Sequence, residues 1–139
     1  MRIMAIDYGD ARTGIAVSDP FGMLAGFTTV IHSWREDEVA AEIRRLAQEH
    51  QAEELVLGYP KNMNDTIGER AKHCEAFAQR LREETGLPVT LWDERSTTVA
   101  AHRILSDNNR HGKKRKNTVD AVAASLILEG YLAWKRNHR

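Results

Sequence analysis

The chain opens on a short apolar run, Arg2-Ile3-Met4-Ala5-Ile6-Asp7, whose last residue is a carboxylate. An apolar run of this length that ends at a turn predicts a strand buried on both faces. The turn follows at once in residues 8–12, and a second apolar run covers residues 13–18. So short a link favours an antiparallel hairpin. We therefore expect a central strand with Asp7 at its carboxyl end.

The remaining elements follow from hydrophobic periodicity and from helix boundary signals. Further strands are predicted over residues 22–30, 54–58 and 88–92, and helices over about 33–50, 66–86, 96–106 and 117–134. Ser33 with Glu36, and Thr66 with Glu69, have the spacing of a capping box. Asn117 is the expected N-cap of the last helix, which leaves residues 107–116 as a polar, basic loop.

This order of elements predicts the fold class. Three strands joined by short links form an antiparallel meander, and the later strands alternate with helices, which implies parallel pairing. We expect an α/β arrangement: a mixed five-stranded sheet, with the three-strand meander, two parallel strands and helices on both faces. Residues 1–139 should form one domain.

Composition narrows the cellular setting and the kind of partner. No apolar run has membrane-spanning length, and the single Cys74 fits a reducing cytosol, so we expect a cytoplasmic protein with no membrane partner. The zero net charge is unevenly spread: residues 110–139 carry eight Lys or Arg against two acids, which makes them +6 and the rest −6. A basic end favours a polyanionic partner, although a solvated loop and tail explain it equally well.

Three carboxylates fall at the ends of elements that should meet. Asp7 closes the first strand, Glu94 follows the fifth, and Asp120 lies in the first turn of the last helix. Carboxylates converging at a sheet edge could hold two Mg²⁺ or Mn²⁺ ions roughly 4 Å apart, as phosphoryl-transfer enzymes do. Taken singly, each acid has an ordinary alternative: a turn residue, an ion pair with Arg95, and a complement to the helix N-terminus.

Five stretches of the chain carry a family resemblance. They are Ala5-Ile6-Asp7-Tyr8-Gly9, Arg12-Thr13-Gly14-Ile15-Ala16-Val17-Ser18, Gly58-Tyr59-Pro60-Lys61-Asn62-Met63-Asn64, Trp92-Asp93-Glu94-Arg95-Ser96-Thr97-Thr98 and Asn117-Thr118-Val119-Asp120-Ala121-Val122-Ala123-Ala124. In order and spacing they resemble the motifs of the YqgF (RuvX) family of pre-16S rRNA nucleases. The third stretch departs from the usual pattern, with Tyr59 in place of Leu and Asn64-Asp65 in place of Asp-Gly. Neither departure falls on an expected metal ligand.

The resemblance implies a function and a set of site residues. The family is similar to RuvC-type resolvases and has the ribonuclease H-like fold. It is bacterial and cytoplasmic, hydrolyses phosphodiester bonds and acts in maturing the 5′ end of 16S rRNA. Its catalytic and metal-binding acids carry over onto Asp7, Glu94 and Asp120, the same three residues.

Other residues are candidates for holding nucleic acid. Backbone at Gly9 could approach a phosphate, and basic side chains could contact the phosphate backbone: Lys61, Arg95, Arg110, Lys113, Lys114, Arg115 and Lys116. Trp34, Tyr59 and Trp92 are candidates for stacking on bases, with core packing the favoured role for Trp92.

Three functions stay open at this point. The first is a metal-dependent ribonuclease acting on pre-16S rRNA or a pre-ribosomal particle. The second is a Holliday junction resolvase, which needs a dimer with two sites. The third is a non-catalytic nucleic-acid-binding module, which retention of all three acids disfavours. The residues do not distinguish RNA from DNA, endonuclease from exonuclease, or monomer from homodimer.

Overall fold

The computed structural model of the chain describes residues 1–19, 25–59, 69–93 and 112–137, with the backbone alone described at residues 59, 69–70 and 112–120. These ranges contain five strands and three helices. The strands are β1 (Arg2–Asp7), β2 (Arg12–Ser18), β3 (Ala25–His32), β4 (Ala52–Tyr59) and β5 (Val89–Asp93), and the helices are α1 (Glu36–Glu49), α2 (Glu69–Thr85) and α3 (Gly112–Asn137).

The strands form one mixed sheet in the order β3-β2-β1-β4-β5. β1 lies at its centre, antiparallel to β2 and parallel to β4. β2 pairs antiparallel with β3, and β4 pairs parallel with β5. The antiparallel meander with two added parallel strands is therefore confirmed.

Side chains on the two faces of the sheet form two separate apolar layers. Met4 and Ile6 of β1 pack with α1 and α2, in a cluster that includes Ile43 and Phe77. Ile3 and Ala5 point the other way, into a cluster with α3 that includes Ile127 and Leu128. Successive side chains of a strand alternate between its faces, so this division follows directly from the sequence of β1. Helices on both faces are confirmed.

The start of α1 differs from the predicted capping box. The N-cap is Arg35, in extended backbone and without a side-chain cap hydrogen bond. Ser33 lies two residues further out: its hydroxyl accepts a hydrogen bond from the Arg35 amide (3.1 Å) and donates one to Glu38 (2.9 Å). The prediction that Ser33 and Glu36 form the box is wrong, because a short turn at Ser33 satisfies the local hydrogen bonds before the helix begins.

Several predicted boundaries also differ by two residues or more, among them those of β3 and α3. β3 extends to His32, two residues beyond the predicted end, because residues 28–32 pair in register with residues 12–16 of β2. α3 begins at Gly112, so Asn117 lies inside the helix and residues 112–116 are helical, contrary to the predicted loop. Lys and Arg are good helix formers, and an interior Asn costs only a few tenths of a kcal/mol, about 0.7 at most, relative to Ala. The predicted helix over 96–106 and the expected cap Thr66 lie outside the described residues.

A buried polar network joins α3 to the sheet. Glu54 on β4 is 8% exposed, and its carboxylate accepts hydrogen bonds from the Tyr131 hydroxyl and the Lys135 ammonium group. The Thr90 hydroxyl on β5 donates a third, at 3.5 Å. A buried carboxylate is tolerated when it is paired and hydrogen-bonded in this way.

No helix in the described ranges is long and apolar enough to cross a membrane.

This network predicts how stability responds to alkaline pH. Burial, and then the hydrogen bond to Glu54, raises the pKa of the Tyr131 hydroxyl above its ordinary value. A raised folded-state pKa contributes stability that is complete below the unfolded pKa of about 10 and is lost as pH rises through the folded pKa. We expect the free energy of unfolding, measured with urea from pH 8 to 11, to fall more steeply above pH 10 in the wild type than in Tyr131→Phe. Parallel curves would contradict this assignment.

Candidate functional site

The carboxyl ends of β1, β4 and β5 lie at one edge of the sheet. Ile6 of β1 pairs with Leu57 of β4, and Tyr59 at the end of β4 pairs with Asp93 at the end of β5. Asp7 therefore ends β1 at the edge where the parallel strands β4 and β5 also end. Ligands of open sheets with parallel strands bind at such an edge, which makes it the candidate site.

Tyr8 fixes the chain immediately after Asp7. Its ring stacks on Phe77 of α2, with 3.9 Å between centroids and 12° between planes. His73, one helical turn before Phe77, meets the same ring edge-on at 5.4 Å, and its Nε2 lies 3.1 Å from Glu36 of α1. Phe77 is fully buried. The end of β1 is thus held against both helices on one face of the sheet.

The turn between β1 and β2 is tightly built around Gly9. A Cβ atom added at Gly9 would lie closer than 3.0 Å to the carbonyl oxygen of Arg12, nearer than real Cβ atoms come to other atoms. Any side chain at this position must displace backbone. Gly9 is therefore required by the close approach of the two ends of the turn, and it sits two residues after Asp7.

The structure describes the predicted site residues to different extents. Asp7 is half-buried at the end of β1, and Asp120 lies on α3, four residues before the buried Ala124, with its backbone described. Glu94, Lys61, Arg95 and Arg110 lie outside the described residues. The four basic residues 113–116 lie in the first turns of α3, again with their backbone described. Within the described part of the chain, no three His, Cys, Asp or Glu side chains are grouped to hold a metal ion. The acidic triad stays a prediction.

The three candidate stacking residues have different surroundings. Trp92 packs on α3: its indole lies 3.5 Å from the position a Cβ of Gly130 would take, and 5.7 Å from the Tyr131 ring between centroids. This contact confirms the packing role favoured for Trp92. Trp34, in the link between β3 and α1, is 80% exposed. Tyr59 is described for its backbone, at the end of β4.

Two cavities lie near the β1–β2 turn and the link between β3 and α1. One, of about 370 Å³, is lined by Trp34 and by the β1–β2 turn residues Gly9, Asp10, Ala11 and Arg12. A larger one, of about 790 Å³, runs between β3 and α1. Its lining carries three glutamates against one arginine and two histidines: Glu38, Glu42, Glu49, Arg45, His32 and His50. Acidic side chains repel a phosphate backbone, so the smaller cavity, beside Asp7, is the better candidate for nucleic acid. Periodicity could not reveal it, because it depends on how the β3–α1 link folds back onto the turn.

The crowding at Gly9 yields a prediction. Gly9→Ala should lower the free energy of unfolding by roughly 1–3 kcal/mol, because the added methyl group forces the turn after Asp7 to shift. Urea titration measures the change. Gly26→Ala is the matched control, since its Cβ would meet Asp19 at an ordinary 3.5 Å. Equal stabilities for the two variants would show that the Gly9 turn tolerates a side chain.

The sequence of the chain is similar to those of a known protein family. The sequence profile of RuvX, described as Holliday junction resolvase, matches residues 1–134. A protein of Lachnospira eligens is 46% identical over 98% of this chain and 99% of its own length. One of Geobacillus kaustophilus is 44% identical over 98% of this chain and its full length. Both carry the name "Putative pre-16S rRNA nuclease".

Solved structures show the same fold at low sequence identity. Thermus thermophilus RuvC in complex with a Holliday junction substrate aligns with a TM-score of 0.65 at 12% identity, covering 99% of this chain and 96% of RuvC. The fowlpox virus resolvase in complex with Holliday junction DNA aligns with a TM-score of 0.60 at 12% identity, covering 97% and 99%. The sheet order, the helices on both faces and these alignments establish a RuvC-like, ribonuclease H-like fold, and the profile and the relatives establish that the chain belongs to the RuvX family.

Proposed function

We propose that this protein is a metal-dependent nuclease that hydrolyses phosphodiester bonds at the edge where β1, β4 and β5 end. The observation that carries the proposal is the position of Asp7: a half-buried carboxylate at the end of a central strand whose preceding four residues are fully buried. A carboxylate held at the rim of the core is positioned by the fold and still reachable by a ligand.

Alternation along the strands supports the acidic triad. Ile3 and Ala5 face α3, and Asp7 has the same parity in β1. In β5, Trp92 packs on the α3 side, and Glu94 has the parity of Trp92. Asp93 has the parity of Val89, which packs on the α1–α2 side. The proposal therefore assigns Asp7 and Glu94, rather than Asp93, to the face that α3 covers.

The direction of α3 supports the third member. Tyr131 and Lys135, in its C-terminal half, contact Glu54 near the start of β4. From Tyr131 back to Asp120, about 11 residues of helix rise about 16 Å. From Glu54 forward to Tyr59, about five residues of strand rise about the same distance. A helix aligned with β4 would carry Asp120 to the level of the strand ends, beside Asp7.

The residues proposed for the site fit divalent cations. Asp7, Glu94 and Asp120 would supply carboxylate oxygens, which are the ligands that Mg²⁺ and Mn²⁺ prefer. Bound there, two such ions supply Lewis acidity that lowers the pKa of an attacking water and stabilises the leaving oxygen. The chain itself would orient the acids: the stack of Tyr8 on Phe77 holds the end of β1, and the Glu54 network holds α3.

We propose RNA as the substrate, specifically the 5′-extended precursor of 16S rRNA. The support is the name that the relatives carry at 44% and 46% identity over nearly the whole chain. The junction-bound resolvases are only 12% identical and inform the fold. The basic residues 113–116 at the start of α3, on the helix that also carries Asp120, would contact the phosphate backbone without reading sequence.

Removing one ligand charge tests the site. Asp7→Asn should reduce metal-dependent cleavage of a 5′-extended 16S rRNA fragment by about 100-fold or more, since an amide is a weak ligand for hard cations. The urea concentration at the unfolding midpoint of Asp7→Asn should stay close to that of the wild type, as it does for ordinary surface variants. The measurement is a cleavage assay in Mg²⁺, Mn²⁺ or EDTA, with a four-way DNA junction as second substrate. Asp19→Asn is the control, because Asp19 follows β2 at the opposite edge of the sheet. Undiminished cleavage by Asp7→Asn would falsify the assignment, and cleavage of the junction alone would establish a DNA resolvase.

The basic start of α3 yields a separate prediction. Replacing Lys113, Lys114 and Lys116 together by Gln should weaken RNA binding and flatten its salt dependence. The slope of log K against log[salt] should fall by about 0.7 for each single-strand phosphate contact removed. Fluorescence anisotropy of a labelled RNA at several salt concentrations measures it. Replacing Arg44, Arg45 and Lys72 together by Gln, on α1 and α2, controls for the loss of three positive charges alone. An unchanged slope in the triple lysine variant would assign these lysines to solvent.

A further inference from the structure

Trp34 has an exposure that its side chain does not favour. It is 80% exposed, in the link between β3 and α1, whereas Trp92 packs on α3. Tryptophan carries the largest apolar surface of any side chain, and where it is not buried in a core it is enriched at sites that bind partners. This exposure favours a role for the indole in binding a ligand.

Hydrogen bonds on both sides of Trp34 hold it in place. The Ser33 amide donates to the carbonyl oxygen of Ala11 in the β1–β2 turn, at 3.1 Å. The Ser33 hydroxyl accepts from the Arg35 amide and donates to Glu38 on α1. Arg35 is itself the N-cap of α1. The backbone that carries the indole is thus tied to the β1–β2 turn and to α1, so the fold fixes where this platform starts.

The cavity beneath this platform is suited to a flat, polar-edged group. It has a volume of about 370 Å³, within the roughly 300–1,000 Å³ of small-ligand sites. Its lining residues are Trp34, the small residues Gly9 and Ala11, and one acidic and one basic residue, Asp10 and Arg12. The two opposite charges make it a poor phosphate pocket. They suit a ring whose edge carries both hydrogen-bond donors and acceptors, as a nucleobase does.

The cavity also lies beside the proposed cleavage site. Gly9 follows Asp7 by two residues, which span at most about 7 Å of chain. The β1–β2 turn therefore forms part of both places. This cavity is within reach of a strand whose phosphate meets Asp7, whereas the larger cavity between β3 and α1 presents an acidic wall to it.

We propose that Trp34 and the turn 9–12 form a subsite for one unpaired nucleobase of an RNA strand bound across Asp7. The base stacks on the indole, and Asp10 and Arg12 meet its edge. The subsite rests on the proposed function and deepens it, because it requires the substrate to be single-stranded next to the bond that is cut. Stacking tolerates any base, so the subsite selects unpaired structure more than sequence.

Tryptophan emission tests the subsite without any cleavage. Short single-stranded RNA added in EDTA should quench the emission of the wild type. Trp34→Phe should lose that quenching. The variant still emits from Trp92 and Trp134, but a base bound at position 34 does not touch them, so their emission should not change. A double-stranded RNA of the same sequence should quench little, since its bases are already stacked. DNA of the same single-stranded sequence should also quench, because the subsite as described has no contact to a 2′-hydroxyl.

Affinity measurements distinguish stacking from bulk apolar contact. By anisotropy, Trp34→Leu should weaken binding of single-stranded RNA roughly 5- to 100-fold, and Trp34→Phe should weaken it less, because Phe retains an aromatic face. The salt slope should be unchanged in both, since no phosphate contact is lost. Phe27→Ala is the matched control: Phe27 is an aromatic residue, 38% exposed, on the same strand–link unit, but at the far end of β3.

The outcomes separate this proposal from the nuclease assignment. Absence of quenching by single-stranded RNA, or equal affinities for wild type and Trp34→Leu, overturns the subsite whatever the cleavage assay shows. Equal loss in Trp34→Leu and Phe27→Ala overturns it as well, because the effect is then not local. Quenching with a selective loss in Trp34→Leu supports the subsite even where Asp7→Asn cuts as well as the wild type. Quenching that is stronger with double-stranded than with single-stranded RNA overturns the requirement for an unpaired base.

Discussion

The elements that the structure describes are arranged around one strand, β1, that has no exposed face. The four residues Ile3, Met4, Ala5 and Ile6 of β1 are each at most 2% exposed. A strand covered on both faces needs an apolar layer on each, which here requires α1 and α2 on one side and α3 on the other. It also needs hydrogen-bonded neighbours along both edges, which β2 and β4 provide. Because a one-residue slip would exchange every side chain between the two layers, the register of β1 is strongly specified. The position of Asp7 follows from that register.

The two faces then contribute differently at the strand end. Alternation sends Tyr8 to the side of α1 and α2, where it stacks on Phe77, and sends Asp7 to the side of α3. These adjacent residues therefore have different roles: the Tyr8 ring packs into the core and fixes the chain, and the Asp7 carboxylate lies at the edge of the sheet. The Gly9 turn follows immediately and brings the backbone of Arg12 close enough to exclude a side chain. The candidate site is therefore rigid on the β1 side, because the packing of Tyr8 and the crowding at Gly9 act on consecutive residues.

What could be predicted from the sequence depended on how local its signals are. The strand order followed from apolar runs, from the short link between β1 and β2, and from helices placed between the later strands. Asp7 as a strand-end carboxylate followed from the same reasoning. The helix starts were less predictable, because Ser33 and Asn117 are cap residues by type, yet Ser33 forms a turn and Asn117 continues a helix begun at Gly112. Hydrogen bonding to neighbours in space decides between these roles. The cavity at Trp34 could not be derived at all, since it lies between the β1–β2 turn and the β3–α1 link, which meet where Ser33 bonds to Ala11, more than twenty positions away in the chain.

The position of Asp120 depends on a polar contact at the far end of its helix. The residues of α3 nearest Asp120 that face the sheet, Ala123 and Ala124, are small and apolar, and such a surface alone would permit several positions along the strands. Glu54 removes that freedom, because its buried carboxylate is satisfied only when Tyr131 and Lys135 lie directly opposite. A displacement of α3 that separated both side chains from Glu54 would leave a buried charge without its partner, which costs about 3–5 kcal/mol. The charge thus contributes more to specifying one arrangement than to net stability. In the proposed site, which needs carboxylates from a strand and a helix at one point, that specification would hold the carboxylate of Asp120 at the level of the strand ends.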